Sequence, residues 1–338
     1  MHYQLLGRSG LRVSELCLGT MTFGEDWGWG ASKETARAIF DEFSEAGGNF
    51  VDTANLYTNG TSERLLGEFI HPNRDRYVVA TKYTLNLDSK GDPNAAGNHR
   101  KNMTQAVEAS LKRLNTDYID LYWVHAWDTR TPIEEMMRAF DDLVRAGKVL
   151  YIGASDFPAW QVARANTMAE FRGWTPFSAL QIEYSLIERT VERELIPMAN
   201  GMGLTVTPWA PLGAGVLSGK YNPLTDVKTT RGGTLTEDRF RIAKAVTEAA
   251  SAIGCSPAQV ALAWLRHQPG SIIPIIGART VEQIRDNLAS IHVSLSPEHL
   301  SSLDEASKVD MGFPLRFLST DRFQQIVSGG TWTSMRKV

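Results

Sequence analysis

At 338 residues, with 43% apolar and 22% charged side chains, the chain can bury a large core and falls in the size range of a single α/β barrel. A net charge of -3 without a Lys/Arg stripe excludes a nucleic-acid footprint, and apolar runs that are short and broken by charges exclude a helical membrane span. Met1 to Gly10 holds no apolar stretch ahead of a cleavage site, so no signal peptide is read, and Cys17 and Cys255 suit buried free thiols in a reducing cytoplasm better than a disulfide.

Residues 3 to 14 read as strand, Gly-Arg-Ser-Gly turn and strand, a hairpin expected to cap one end of the structure. Glu15 to Thr20 is a first short buried strand, and Met21 to Gly30, rich in Gly and aromatics, is a loop. Helix 32–46, with Ser32 as N-cap and Glu34 in its first turn, leads to strand 49–54, and helix 62–70 to strand 77–82. A long polar loop, 83–98, precedes helix 99–114 and strand 118–125. Helix 132–146, ended by Gly147, leads to strand 149–155, helix 159–171 to strand 179–184, and helix 191–200, stopped by Gly201, to strand 204–209. Helices 237–253 and 256–267, strand 271–276 and helix 280–290 complete the alternation, before a further helix over 297–308 and a tail, 309–338, expected to fold over the top. Eight strand-helix units without a Gly-x-Gly-x-x-Gly after the first strand favour a closed (β/α)8 barrel over an open doubly wound sheet, in one domain.

Three consecutive strands deliver polar residues at their C-terminal ends, where such barrels build active sites: Asp52 with Tyr57 just beyond, Lys82, and His125. An ammonium near the phenol favours phenolate and is expected to lower the pKa of Tyr57, while Asp52 holds and neutralises Lys82. The phenol can then give a proton to an oxygen gaining charge, and His125 can hydrogen-bond the same oxygen. The set holds no obvious nucleophile. It suits protonation of a carbonyl oxygen while a hydride donor attacks the carbon.

Asp52-x4-Tyr57, Lys82 and His125, with Gly-Thr at the first strand and Gly-Lys-Tyr near position 220, resemble the aldo-keto reductase family over about Tyr3 to Lys308. The resemblance implies a (β/α)8 barrel and an NADPH-dependent enzyme with those four residues as its catalytic set. It implies that Gly19, Thr20 and Met21 lie near the nicotinamide ribose, and that Ser155, Asp156 and Gln181 hold the carboxamide. Most relatives carry Asn where this chain has Asp156, and Asp can accept from the amide NH2 but cannot donate to its carbonyl. Trp209 falls where the family sets an aromatic ring against the nicotinamide. Ala210, Pro211, Leu212, Gly213, Gly215 and Lys220 match the loop over the pyrophosphate, with Arg231 as a second cationic contact. Gly277, Arg279, Thr280, Gln283, Asp286 and Asn287 match the segment for the 2′-phosphate and adenine, and Asp286 stands where Glu is common. A guanidinium opening a helix suits a phosphate dianion, so NADPH is preferred over NADH.

Taken singly, each residue has a blander reading: Asp52 a helix N-cap or loop acceptor, Tyr57 a half-buried loop aromatic, Lys82 a solvated strand end. The stretch Ala214 to Tyr221 lacks the first Gly and the Ser/Thr of a P-loop. The other histidines do not gather at strand ends, so no metal is expected. Trp27, Trp29 and Trp127, with Phe23 and Tyr83, are expected to line an apolar or sugar-stacking substrate pocket. The reading is a cytoplasmic reductase of small-molecule aldehydes or ketones that also runs in reverse, with no nucleic-acid or membrane partner and an open oligomeric state; its rival is a nucleotide-holding regulatory subunit of the same fold.

Overall fold

The computed structural model describes residues 1–87, 90–220, 229–230, 233–234 and 236–334. Strands β1 (Tyr3–Leu5) and β2 (Arg12–Ser14) form the N-terminal antiparallel hairpin. The barrel strands follow: β3 (Cys17–Gly19), β4 (Phe50–Asp52), β5 (Val78–Tyr83), β6 (Ile119–Val124), β7 (Val149–Ser155), β8 (Phe177–Glu183) and β9 (Thr205–Trp209). A two-stranded ribbon, β10 (Thr229–Thr230) and β11 (Gly233–Thr234), precedes the last barrel strand, β12 (Ile275–Ile276). Between and after them run α1 (Lys33–Glu45), α2 (Thr61–Ile70), α3 (Arg100–Leu114), α4 (Ile133–Arg145), α5 (Ala159–Arg172), α6 (Leu195–Met202), α7 (Glu237–Ile253), α8 (Pro257–Arg266), α9 (Val281–Ala289) and α10 (Pro297–Ala306).

Eight parallel strands are ordered β12-β3-β4-β5-β6-β7-β8-β9. The ring closes between β9 and the segment before β12: Val206 N donates to Ser271 O at 2.8 Å and Ile273 N to Val206 O at 2.9 Å. Strand β12 is shorter than its apolar pattern suggests because Pro274 has no N–H to give to a ladder. The expected (β/α)8 barrel with its hairpin is therefore the observed fold.

Side-chain parity divides the core in two. Phe50, Val78, Ala80, Leu121, Trp123, Ala179, Ile273 and Ile275 form the barrel interior, which Leu6 and Val13 of the hairpin plug from below. The larger core lies between strands and helices. Because successive strand residues face opposite sides, Asp52, Lys82 and Gln181 continue the inward rows begun by Phe50, Ala80 and Ala179. Gly7 shows how tightly the plug sits: a Cβ there would meet Ser178 O at 2.2 Å.

Helix ends follow the local chemistry. Ser32, Ser256, Thr280 and Ser296 cap α1, α8, α9 and α10 through their hydroxyls. Helix α6, however, runs through Gly201 and stops at Gly203, whose φ of 66° supplies the left-handed cap. The tail departs from expectation too. Helices α11 (Leu315–Leu318) and α12 (Asp321–Val327) pack on each other through Phe317 and Phe323, ring centroids 5.0 Å apart, and none of residues 309–334 is buried. It does not form a lid buried against the barrel.

Candidate active site

Strand β4 ends in Asp52 and β5 carries Lys82 inward, and both side chains are almost fully buried. Lys82 Nζ donates to Asp52 Oδ2, to Thr53 O at 2.8 Å and to Tyr57 Oη at 3.2 Å. Those three acceptors take all three hydrogens of an ammonium. The other carboxylate oxygen of Asp52 accepts from Gln181 Nε2 at 3.0 Å, so β8 also holds the ion pair in place. Of the residues between Asp52 and Tyr57, Thr53 belongs to the site, since its carbonyl gives Lys82 its second acceptor, while Asn55 Nδ2 donates to Leu85 O at 3.2 Å.

His125 follows β6, its ring edge-on to Tyr57 with centroids 6.1 Å apart, and its buried Nδ1 has no hydrogen-bond partner among the described residues. Burial first and the Lys82 charge second depress its pKa from 6.5 to about 3, so the imidazole is neutral at physiological pH. Tyr57 corrects an expectation. Burial pushes the phenol up and outweighs the downward pull of Lys82, leaving its pKa above the ordinary value. For Lys82 the balance runs the other way: burial alone would lower the ammonium, but Asp52 and Tyr57 raise it further. The resting site is a buried ion pair beside a neutral phenol and a neutral imidazole.

Of the residues matched to the cofactor, Gly19, Thr20 and Gln181 adjoin Asp52. Gly19 pairs in register with Asp52, and Ser155 with Gln181. Thr20 is fully buried and donates to Asp52 O at 3.0 Å, whereas Met21 is exposed. Asp156 Oδ1 accepts from Trp209 Nε1 at 3.0 Å, which orients the indole, and burial raises its carboxyl. Beyond β9, Ala210, Gly213 and Gly215 take left-handed φ values in the turn through Pro211 and Leu212, and Lys220 is exposed. Arg231 lies outside the described residues.

After β12, Gly277 approaches Gly19, and exposed Arg279 precedes α9. Thr280 caps that helix, while Gln283 Oε1 accepts from Arg279 N at 2.8 Å. Asn287 Nδ2 donates to Gly277 O at 3.2 Å, bracing the segment. Asp286 is already engaged by Ser256 Oγ at 2.9 Å and Gln259 Nε2 at 2.7 Å, across to the start of α8.

The aromatic set divides. Trp27 stands edge-on to Tyr57 with centroids 6.5 Å apart and leans on Trp29 at 5.5 Å, forming a wall beside the phenol. Trp127 packs on Trp160 and shares a cavity of about 430 Å³ with Asp156 and Trp209. Phe23 and Tyr83 do not line a pocket. Both are fully buried in the helix-facing core, Phe23 against Phe69 and Tyr83 between Tyr122 and Phe140. Tyr83 follows inward Lys82, so strand parity sends it outward. Cys17 is a buried free thiol as expected, but Cys255 is only half-buried.

The pattern that defines the Aldo/keto reductase family matches residues 15–308. The chain belongs to the aldo/keto reductase family. As such it is an NAD(P)H-dependent oxidoreductase. Norsolorinic acid reductase stcV of Emericella nidulans is 44% identical over 329 residues, covering 94% of this chain and 84% of that relative. Aryl-alcohol dehydrogenase [NADP(+)] of Phanerodontia chrysosporium is 39% identical over 337 residues, with 93% and 87% covered. The uncharacterized oxidoreductase YrpG of Bacillus subtilis is 39% identical over 318 residues, with 90% and 95% covered. Within this aldo-keto reductase, the sequence missed Thr58, fully buried at φ 44° directly after Tyr57. The Thr-Asn-Gly that follows the tyrosine was the available sign, since Asn-Gly marks a turn needing positive φ.

Proposed function

We propose that this chain reduces aromatic aldehydes or ketones with NADPH, and oxidises the alcohols in reverse, with Tyr57 as proton donor. One observation carries the reading: Lys82 uses its hydrogens on Asp52, Thr53 and Tyr57, so the phenol accepts from the ammonium and its own O–H is left to point away from the pair. The raised phenol pKa keeps that proton in place until a substrate oxygen gains charge. Once it is given up, Lys82 faces the phenolate at hydrogen-bond distance and stabilises it by its charge. Asp52 keeps the ammonium charged, and Gln181 keeps Asp52 in register. Neutral His125 can donate to the same substrate oxygen without competing to protonate it.

A nicotinamide held here would supply the hydride needed at the substrate carbon. Ser155 and Gln181, paired in register, and Asp156, bonded to the Trp209 indole, offer polar groups suited to a carboxamide, and Arg279 ahead of α9 suits a 2′-phosphate. Trp27 and Trp29 favour a flat aromatic substrate, in line with relatives named for aryl alcohols. The intact Asp52–Lys82–Tyr57 contacts favour an enzyme over a nucleotide-holding subunit. Two free cysteines suit work in the cytoplasm.

Oxidation of NADPH by a reactive aromatic aldehyde tests the assignment. Tyr57→Phe is expected to lower kcat by at least about 100-fold, while NADPH still quenches tryptophan fluorescence; unchanged turnover would overturn the acid. Arg279→Ala is expected to weaken NADPH far more than NADH, and equal losses would remove the phosphate contact.

A further inference from the structure

The turn that carries Tyr57 has an unusual backbone. Thr58, Asn59 and Gly60 follow one another at φ of 44°, 55° and 83°. Glycine adopts such values freely and asparagine tolerates them, but a β-branched residue there is an outlier held by its surroundings. Thr58 is fully buried, and its hydroxyl is committed twice: Oγ1 donates to Phe23 O at 2.7 Å and accepts from Ser62 N at 3.0 Å.

The two bonds join separate parts of the site. Ser62 lies in the first turn of α2, whose N-cap residue is Gly60 and has no side chain, so Thr58 supplies the missing cap from further upstream. Phe23 belongs to the loop that presents Trp27 and Trp29 to the phenol. A second tie between the same segments runs from Thr61 Oγ1 to Asp26 Oδ1 at 3.1 Å. On the barrel side, Ser62 Oγ lies 2.9 Å from Thr53 Oγ1, and the Thr53 carbonyl takes a hydrogen from Lys82. Hydroxyl contacts thus run from the aromatic loop, beneath Tyr57, to the residue that anchors the ammonium.

We propose that Thr58 is a positioning residue: its hydroxyl fixes Tyr57 against both Lys82 and the Trp27–Trp29 wall, so that the proton donor and the aryl-binding surface are placed together. This rests on Tyr57 being the acid. Glycine would suit the backbone better, and what the buried threonine adds is its two bonds.

Steady-state kinetics on Thr58→Gly, Thr58→Val and Thr58→Ser, with Tyr57→Phe as reference, test this. Thr58→Gly removes the hydroxyl and the backbone strain together, so it stays informative if Thr58→Val fails to fold. Thr58→Gly is expected to lower kcat for an aromatic aldehyde about 10- to 100-fold, to move the pH profile of kcat, and to leave NADPH affinity by fluorescence titration unchanged. Thr58→Ser, which keeps both bonds, is expected to restore kcat and the profile. Wild-type kcat and pH profile in Thr58→Gly, with Tyr57→Phe inactive, would overturn the role of Thr58 and leave the acid standing. Equal impairment in Thr58→Ser would overturn it as well. Full turnover in Tyr57→Phe would remove the acid itself.

Discussion

At His125, burial and a neighbouring ammonium act in the same direction, both disfavouring the imidazolium. The sign for stability follows. In the unfolded chain the imidazole takes a proton as pH falls through about 6.5, whereas in the folded chain it waits until about 3. Between those values the unfolded state binds more protons, so stability is fully present above about 6.5 and is lost as pH falls toward about 3. His125→Asn is expected to flatten the fall in thermal midpoint from pH 7 to pH 4, measured by scanning calorimetry; an unchanged slope would assign the acid loss to other groups. The four polar residues at the strand ends were legible because residue type and strand end are written in the chain. Ionisation was not: the sequence puts Lys82 near Tyr57 and so suggests a lowered phenol, but only the packed site reveals that burial outweighs it. Gln181 donating to Asp52 was equally hidden, since β4 and β8 meet only across a closed barrel.

Strands reach the site only if their inward rows fit together lower down. On β7, Gly153 has no room for a side chain because the Trp123 ring from β6 lies over it: a Cβ would sit 2.3 Å from Trp123 Cε3 and 3.1 Å from Ala179 O. Gly153→Ala is expected to cost about 1–3 kcal/mol through overpacking, seen as a lower denaturant midpoint at unchanged slope. Combining it with Trp123→Phe should recover part of the loss, and purely additive losses would refute the clash. Elements themselves were well signalled. Strand and helix ends fell within a few residues of their patterns, and hydroxyl caps such as Ser32 were readable from type and position. Where Gly201 and Gly203 compete to end α6, and where Pro274 trims β12, the outcome depends on neighbours that the sequence does not name. The outward turn of Tyr83 was readable from parity with Lys82, and the pocket reading overlooked it.

The barrel as a whole is bounded by parts of unequal firmness. Every strand from β3 to β9 pairs with the next over at least two residues, but β9 meets the segment before β12 through the amides of Val206 and Ile273. Two backbone hydrogen bonds bridge this gap between the strands, which run on into Trp209–Lys220 on one lip and Gly277–Asn287 on the other. Those are the two segments proposed to hold the dinucleotide, so a ligand bound by both would act as a rivet across the gap. Amide hydrogen exchange reports such openings residue by residue. Saturating NADPH is expected to slow exchange at Val206 and Ile273 more than at Leu121 and Tyr122, deep in the β5–β6 and β6–β7 ladders. Uniform slowing around the ring would mean that the gap is no softer than the rest. If the lips do open on their own, cofactor concentration would set the working lifetime of the closed ring as well as the rate of turnover.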